Sequence, residues 1–148
     1  MSALDIQEIR DDDVEGVVAL WKKCDLTRPW NDPHTDIEFA RKTENAALLV
    51  GRLDDQIIAN VMVGYDGHRG MVYYLGVDPD HHGKGFGRDI MDAAEDWLRA
   101  HGVWKLNLMV RTDNTPVIDF YSAIGYDHQD VVTLGKWIDP SRKPSSQD

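Results

Sequence analysis

The sequence has little of three features that mark membrane, secreted or nucleic-acid-binding proteins. No apolar run in the chain approaches the roughly 20 residues of a transmembrane helix. The single cysteine, Cys24, cannot form an internal disulfide, which favours a reducing compartment. Lysine and arginine number 16 against 26 aspartates and glutamates, and an acidic chain binds nucleic acid and anionic membranes poorly. We therefore expect a cytoplasmic protein that binds neither nucleic acid nor membrane.

The composition that remains is that of an ordinary globular domain. Hydrophobic residues make up 42% of the chain and charged residues 28%. A length of 148 residues fits one domain with one core. We expect this domain to cover residues 1–138. Residues 139–148 contain two prolines and three serines, and we expect them to form a disordered tail.

One stretch of this acidic chain is locally basic and rich in glycine. The residues from Tyr73 to Val77 are aromatic or apolar, which predicts a buried strand that ends at Asp78-Pro79. From Phe86 onward, apolar residues recur with the period of a helix, which we expect to end at His101-Gly102. The turn between strand and helix contains three glycines at alternate positions, Gly83, Gly85 and Gly87.

The chemistry of this turn favours an anion such as phosphate. Glycine lets the backbone approach a ligand closely, and the first amides of a helix have no intrahelical partner. Lys84 and Arg88 add positive charge, and His81 and His82 are further candidates. The spacing matches neither the dinucleotide fingerprint nor the P-loop. The alternative is a solvent-exposed loop that needs glycine for a sharp turn, and the glycines alone leave both interpretations open.

The remaining pattern predicts an α/β fold with a mixed sheet. The predicted strands cover residues 4–10, 46–53, 57–65, 71–77, 103–110 and, at the end of the domain, parts of 126–138. The predicted helices cover residues 14–24, a short segment after Thr35-Asp36, the long helix described above, and residues 115–123. No pair of cysteines or histidines has zinc-ligand spacing, because His81 and His82 are adjacent and point apart on an extended chain.

Two segments carry a family resemblance. His82 to Gly87 matches the pattern Arg/Gln-x-x-Gly-x-Gly/Ala except at His82, and Asn114 to Tyr121 matches Asn-x-x-Ala-x-x-x-Tyr except at Val117. In this order the segments resemble the acyl-CoA loop and a later helix of the GNAT superfamily of N-acetyltransferases. The segments 24–33 and 64–70 further resemble the YpeA type of bacterial acetyltransferase within it.

The resemblance implies a fold, a reaction and a cosubstrate. The fold is a mixed, mostly antiparallel central sheet flanked by about four helices, with the cofactor site at the strand–glycine loop–helix unit. The reaction is transfer of an acetyl group from acetyl-CoA to a primary amine of a small molecule or peptide, by direct attack in a ternary complex and without a metal. A non-catalytic acyl-CoA-binding regulatory module and a nucleotide-binding domain of another kind are the competing functions. Exposed sheet edges favour a homodimer.

The resemblance also implies site residues. The Val77 amide stabilises the developing oxyanion, and Tyr121 protonates the leaving thiolate. Core packing is the alternative role for Leu75, Val77 and Tyr121, and helix capping is the alternative for Asn114. The residues expected to bind the cofactor are Leu75, Val77, His82, Gly83, Lys84, Gly85, Phe86, Gly87, Arg88 and Asn114.

The general base is not evident from the sequence. Many relatives use a glutamate near the start of the central strand, where this chain has Tyr73 and Tyr74. The other candidates are a water molecule and four side chains in irregular segments, namely Asp25, Asp32, Asp66 and His68. We expect at least one of the three aspartates to face the acceptor and to attract a cationic amine.

Overall fold

The computed structural model describes residues 3–145 of the chain. They belong to two compact units, Met1–Leu108 and Met109–Asp148, which are described separately here. A single domain over 1–138 stays a prediction. The expected tail contains a short 3-10 turn, Pro140–Arg142, and its last residues, 146–148, lie outside the described part.

In its described residues, 3–108, the first unit is a five-stranded sheet with three α-helices. Neighbouring strands follow the order β1-β2-β3-β4-β5, so that the chain adds each new strand to one edge. The first four strands are antiparallel, and β5 joins β4 in parallel through Gly70 and Met71. The elements are β1 (Asp5–Glu8), α1 (Val14–Lys23), α2 (Pro33–Arg41), β2 (Ala46–Leu53), β3 (Gln56–Tyr65), β4 (Gly70–Val77), α3 (Phe86–Ala100) and β5 (Leu106–Asn107).

The helices cover both faces of this sheet. Alternate side chains of a strand point to opposite faces. Asn60 faces α1, because its side-chain oxygen accepts a hydrogen bond from Trp21 Nε1 at 2.7 Å. Tyr65 has the opposite parity, and its ring contacts Trp97 of α3. The core beneath α1 and α2 consists of Val17, Val18, Trp21, Ile37, Leu48 and Val50.

The second unit contributes one α-helix in its described residues, α4 (Thr115–Ala123). With α4, the mostly antiparallel sheet and four helices confirm the predicted fold class. No helix within residues 3–145 is long and apolar enough to cross a lipid bilayer.

Two predicted strands differ from the structure. Alternating apolar residues predicted a strand over 103–110, but only Leu106–Asn107 forms one. A strand needs a hydrogen-bonded neighbour, and β4 offers β5 only the positions of Gly70 and Met71. The predicted strands within 126–138 are also absent from the described structure, where this segment is irregular. β4 therefore has no strand neighbour on its β5 side from Val72 to Val77 among residues 3–145.

Candidate active site

The end of β4 is fixed by one buried carboxylate, Asp78. It is 3% exposed, and it accepts hydrogen bonds from the Asp80 amide at 2.9 Å and from Lys23 Nζ at 3.0 Å. Burial raises the pKa of Asp78, but these donors together hold the pKa below its usual range. The carboxylate is therefore ionised at neutral pH and begins the 3-10 turn Pro79–His81.

The glycine loop after this turn presents unpaired amides. Gly83 and Gly85 have φ of +78° and +83°, in the left-handed region that favours glycine. Gly85 is the N-cap of α3, and its carbonyl accepts from the Asp89 amide at 3.1 Å. Within the described chain, the amides from Gly83 to Arg88 donate no hydrogen bond to a protein acceptor. These donors lie at the positive end of the α3 dipole, where an anion satisfies them.

The positive side chains of the loop are not neutralised by ion pairs within residues 3–145. Lys84 Nζ lies 3.5 Å from His81 Nδ1, and neither Lys84 nor Arg88 forms a salt bridge there. His82 has a different contact, because its Nε2 lies 2.8 Å from the Val77 carbonyl oxygen. The His82 ring thus ties the loop to the end of β4, a contact that the loop motif did not indicate.

The backbone of Val77 points to the free side of β4. The Asp78 amide donates to the Ile58 carbonyl at 2.7 Å, which makes Ala59 and Val77 a non-hydrogen-bonded pair. In such a pair the N–H and C=O groups point away from the partner strand. Cys24 Sγ is 3.4 Å from the Val77 oxygen, on this outward-facing side. Burial raises the pKa of the Cys24 thiol, with a smaller contribution from Asp78, so Cys24 lacks the thiolate character of a nucleophile.

A β-bulge interrupts β4 at Tyr74. The register passes from Met62↔Tyr73 to Asn60↔Gly76, so Tyr74 and Leu75 together oppose Val61. Tyr74 has φ of +57°, which is unusual for a residue with a side chain. Its ring stacks on Trp21 with centroids 3.9 Å apart, and its hydroxyl donates to Asp36 Oδ2 at 2.5 Å. The stack and the hydrogen bond hold the strained residue in place.

A cavity of about 400 Å³ opens beside this bulge, between α2 and the sheet. Aromatic and apolar side chains form most of its wall, and two carboxylates reach it. Its lining includes Asp36, Phe39, Met62, Asp66, Tyr73 and Tyr74. The sequence did not identify Asp36, although its i, i+4 spacing to Ala40 places both on one face of α2.

The structure distinguishes among the residues that the sequence offers as the general base. Hydrogen bonds from Thr35 lower the pKa of Asp32, the N-cap of α2, and amides of Arg69 and His68 lower the pKa of Asp66. Both carboxylates are turn or cap residues and weak bases. Asp25 and His68 are exposed and do not line the cavity. Tyr73 and Tyr74 do line it, but burial and Asp36 raise the pKa of Tyr74, which makes it a proton donor.

Two predicted site residues lie in the second unit. Tyr121 on α4 is 8% exposed and contacts the rings of Phe120 and Tyr126, with centroids 5.1 Å and 5.5 Å away. Burial raises its pKa to about 12, so the phenol keeps its proton at neutral pH. Asn114 is the N-cap of α4, yet its side chain accepts no capping hydrogen bond. Its exposed amide therefore serves no capping role.

Comparison with known proteins decides the family. The pattern of the acetyltransferase (GNAT) family matches residues 14–126, which include the glycine loop and Tyr121. The chain belongs to the GNAT family. It is 47% identical over 133 residues to an acetyltransferase of Yersinia pestis strain Pestoides F, covering 90% of this chain and 94% of the relative. It is 44% identical over 140 residues to an acetyltransferase of Pectobacterium atrosepticum, covering 95% and 99%. The protein is thus an acetyltransferase enzyme of this family.

Solved GNAT structures share the fold at low identity. An aminoglycoside acetyltransferase, AAC(6')-Iy, in complex with a bisubstrate analogue has a TM-score of 0.80 at 16% identity, covering 92% of this chain and 99% of that one. An N-acetyltransferase of Thermoplasma acidophilum in complex with coenzyme A has a TM-score of 0.76 at 15% identity, covering 88% and 94%. These similarities establish a common fold only, because identity is too low to carry a substrate across.

Substitution of Asp78 tests whether its hydrogen bonds hold the glycine loop in position. We expect Asp78→Ala to lose the hydrogen bond to the Asp80 amide, a cost of about 1 kcal/mol in unfolding free energy. If the shifted loop loses about 1 kcal/mol of binding free energy as well, CoA affinity should fall about fivefold. A lowered pKa means that the Asp78 contribution is present at neutral pH and lost as pH falls through that pKa.

Thermal unfolding as a function of pH measures this directly. The difference between parent and variant should begin to shrink as pH falls below about 4 and should close only below the lowered pKa of Asp78. Asp80→Ala is the matched control, because it removes the other carboxylate bound to Lys23 and leaves Asp78 in place. A stability difference that stays constant from neutral pH down to the acid limit of folding would show that the charge of Asp78 is not what stabilises the turn.

Proposed function

We propose that the protein transfers an acetyl group from acetyl-CoA to a primary amine of a small molecule or peptide, by direct attack within a ternary complex. One observation carries the proposal. The unpaired amides of the glycine loop follow directly on the strand whose free side presents the Val77 backbone. This segment therefore offers an anion site and, a few residues away, the outward-facing Val77 N–H, whereas the Val77 oxygen already contacts His82 Nε2 and Cys24 Sγ.

The loop and strand fit the two parts of acetyl-CoA. The amides from Gly83 to Arg88 would bind the pyrophosphate, with Lys84 and Arg88 supplying charge. A Cβ at Gly83 or Gly85 would meet no atom within 4 Å, so the space before the loop is open to a ligand. Leu75 would pair with the pantetheine amides along the free side of β4, and the Val77 oxygen could join it only after leaving His82 Nε2. Asn114, whose side chain caps nothing, is a further cofactor ligand in this proposal.

The reaction requires the amine to lose a proton and the CoA sulfur to gain one. The amine nitrogen forms a bond to the acetyl carbon, and the carbon–sulfur bond of the thioester breaks. The Val77 N–H stabilises the negative charge that develops on the carbonyl oxygen during this exchange. Tyr121, protonated at neutral pH, gives its proton to the departing sulfur and regains a proton from solvent before the next turnover. The proton of the amine passes to water, since Asp32 and Asp66 have lowered pKa values and Tyr74 a raised one.

Steady-state kinetics with acetyl-CoA and a panel of primary amines tests this proposal. Release of CoA that depends on the amine, with velocity lines that intersect when both substrates are varied, is the expected result. Parallel lines would indicate an acetylated enzyme and exclude direct attack. Tight CoA binding without turnover of any amine or peptide would favour a regulatory module that binds acyl-CoA. The predicted homodimer stays a separate question for this protein.

A further inference from the structure

The cavity beside the Tyr74 bulge has features that the acetyl-CoA site does not explain. Phe39 is 78% exposed and Tyr73 is 47% exposed, and both lie on its wall. Exposed aromatic rings grouped around one opening mark a binding surface more often than isolated ones do. Met62, which is half-buried, also lines the cavity. This part of the surface is suited to an apolar ligand body.

The charge in this cavity is negative. Asp36 accepts the Tyr74 hydroxyl on Oδ2 only, and Oδ1 has no hydrogen-bond partner within residues 3–145. Asp66 also lines the cavity, although its Oδ1 accepts from two backbone amides in its own turn. Among residues 3–145, no lysine, arginine or histidine lines the cavity. A cation is thus the complementary partner for the free Asp36 oxygen.

The distance along β4 from the cavity to Val77 suits an acceptor of modest length. Tyr74 precedes Val77 by three residues on β4, which corresponds to about 10 Å along a strand. Tyr74 cannot easily move, because it stacks on Trp21 and donates to Asp36. The bulge therefore fixes the Asp36 carboxylate at a defined distance from the strand end that would hold the thioester.

We propose that this cavity is the acceptor site and that it selects a primary amine on an apolar, preferably aromatic, body, with Asp36 as the ligand of the ammonium group before deprotonation. The inference rests on the proposed function, because it names the amine that this function requires. A polyhydroxylated amine fits poorly, since apolar atoms would leave its hydroxyls without partners.

Three primary amines with different bodies test the selectivity. We expect kcat/KM for phenethylamine to exceed that for ethanolamine and glucosamine at least tenfold. Asp36→Asn should raise KM for phenethylamine about tenfold or more, with KM for acetyl-CoA unchanged. Glu38→Gln is the matched control, because it removes an exposed carboxylate from the same helix outside the cavity and should keep the parental KM.

Phe39→Ser supplies a second variant that does not depend on Asp36. An exposed ring contributes little to folding, so the variant should stay folded and lose kcat/KM for phenethylamine while keeping that for ethanolamine. A preference for glucosamine, or parental phenethylamine kinetics in Asp36→Asn, would overturn the inference and leave the proposed function standing. So would a Phe39→Ser variant that changes only the oligomeric state, since the rings would then belong to an interface between copies of the chain.

A binding measurement tests the amine site in the cavity separately from the acetyl-transfer reaction. If no amine is acetylated although CoA binds, the proposed function fails. Calorimetric titration of phenethylamine into the CoA complex still decides the inference. Binding that weakens about tenfold in Asp36→Asn would support the cavity as an amine site, and absence of binding to the parent would overturn it.

Discussion

Gly85→Glu should lose most CoA affinity while the protein stays folded. Gly85 is the N-cap of α3 at φ of +83°, and a Cβ there would meet no atom within 4 Å. The substitution therefore costs backbone strain of about 1–2 kcal/mol and places a carboxylate before amides that would bind pyrophosphate. Loss of one or two charge-assisted hydrogen bonds, plus repulsion, should raise the CoA dissociation constant about 10²-fold or more.

Gly102→Glu is the matched control for that experiment. Gly102 has φ of +80° and equally open space, and it lies beyond the opposite end of the same helix. The two variants carry the same charge and similar backbone strain, but the α3 dipole favours a carboxylate at position 85 and disfavours one at position 102, so Gly102→Glu should lower the thermal midpoint more. Only Gly85→Glu should lose CoA affinity in calorimetry. Equal CoA affinity in the two folded variants would show that the glycine loop is not the pyrophosphate site.

Tyr121→Phe should lower kcat about 10²–10⁴-fold with little change in CoA affinity, which is the usual loss when a general acid is removed. The substitution keeps the buried ring and removes only a hydroxyl. Because burial raises the Tyr121 pKa to about 12, the parent kcat should show no decline from tyrosine ionisation between about pH 7 and pH 10.

Tyr126→Phe provides the comparison for Tyr121. Its ring meets that of Tyr121 edge-on at 5.5 Å, so the variant removes a neighbouring hydroxyl from the same aromatic group. We expect Tyr126→Phe to turn over within about threefold of the parent rate. If Tyr121→Phe did the same under chemistry-limited conditions, Tyr121 would be a core residue and the acid would have to be sought elsewhere.

The glycine loop was predictable because its determinants are local. Asp78-Pro79 ends the strand, glycines supply left-handed φ at 83 and 85, and the apolar period from Phe86 defines α3. Each of these effects acts within a few residues, so the sequence contains them directly. The hairpin strands β2 and β3 were predictable for the same reason, since a short turn joins two apolar runs.

The acceptor cavity was not predictable, because its determinants are distant in sequence. Asp36 and Tyr74 are 38 residues apart and meet only after α2 packs on the sheet. The positive φ of Tyr74 gave no signal, because glycine is the residue usually found at such a bulge. Ile37, Phe39 and Ala40 are the apolar residues of this part of α2, yet Ile37 and Ala40 are buried and Phe39 is exposed. Helix packing, not hydrophobicity, decided which side faced the core.

The central claim is that this protein moves an acetyl group from acetyl-CoA onto an amine nitrogen. Mass spectrometry of a mixed panel of primary amines and peptides, after incubation with enzyme and isotopically labelled acetyl-CoA, tests it most directly. The account predicts at least one amine that gains a single labelled acetyl group as an amide, in equal amount to the CoA released. Bound acetyl-CoA with no labelled amine, or label retained on the protein, would contradict it.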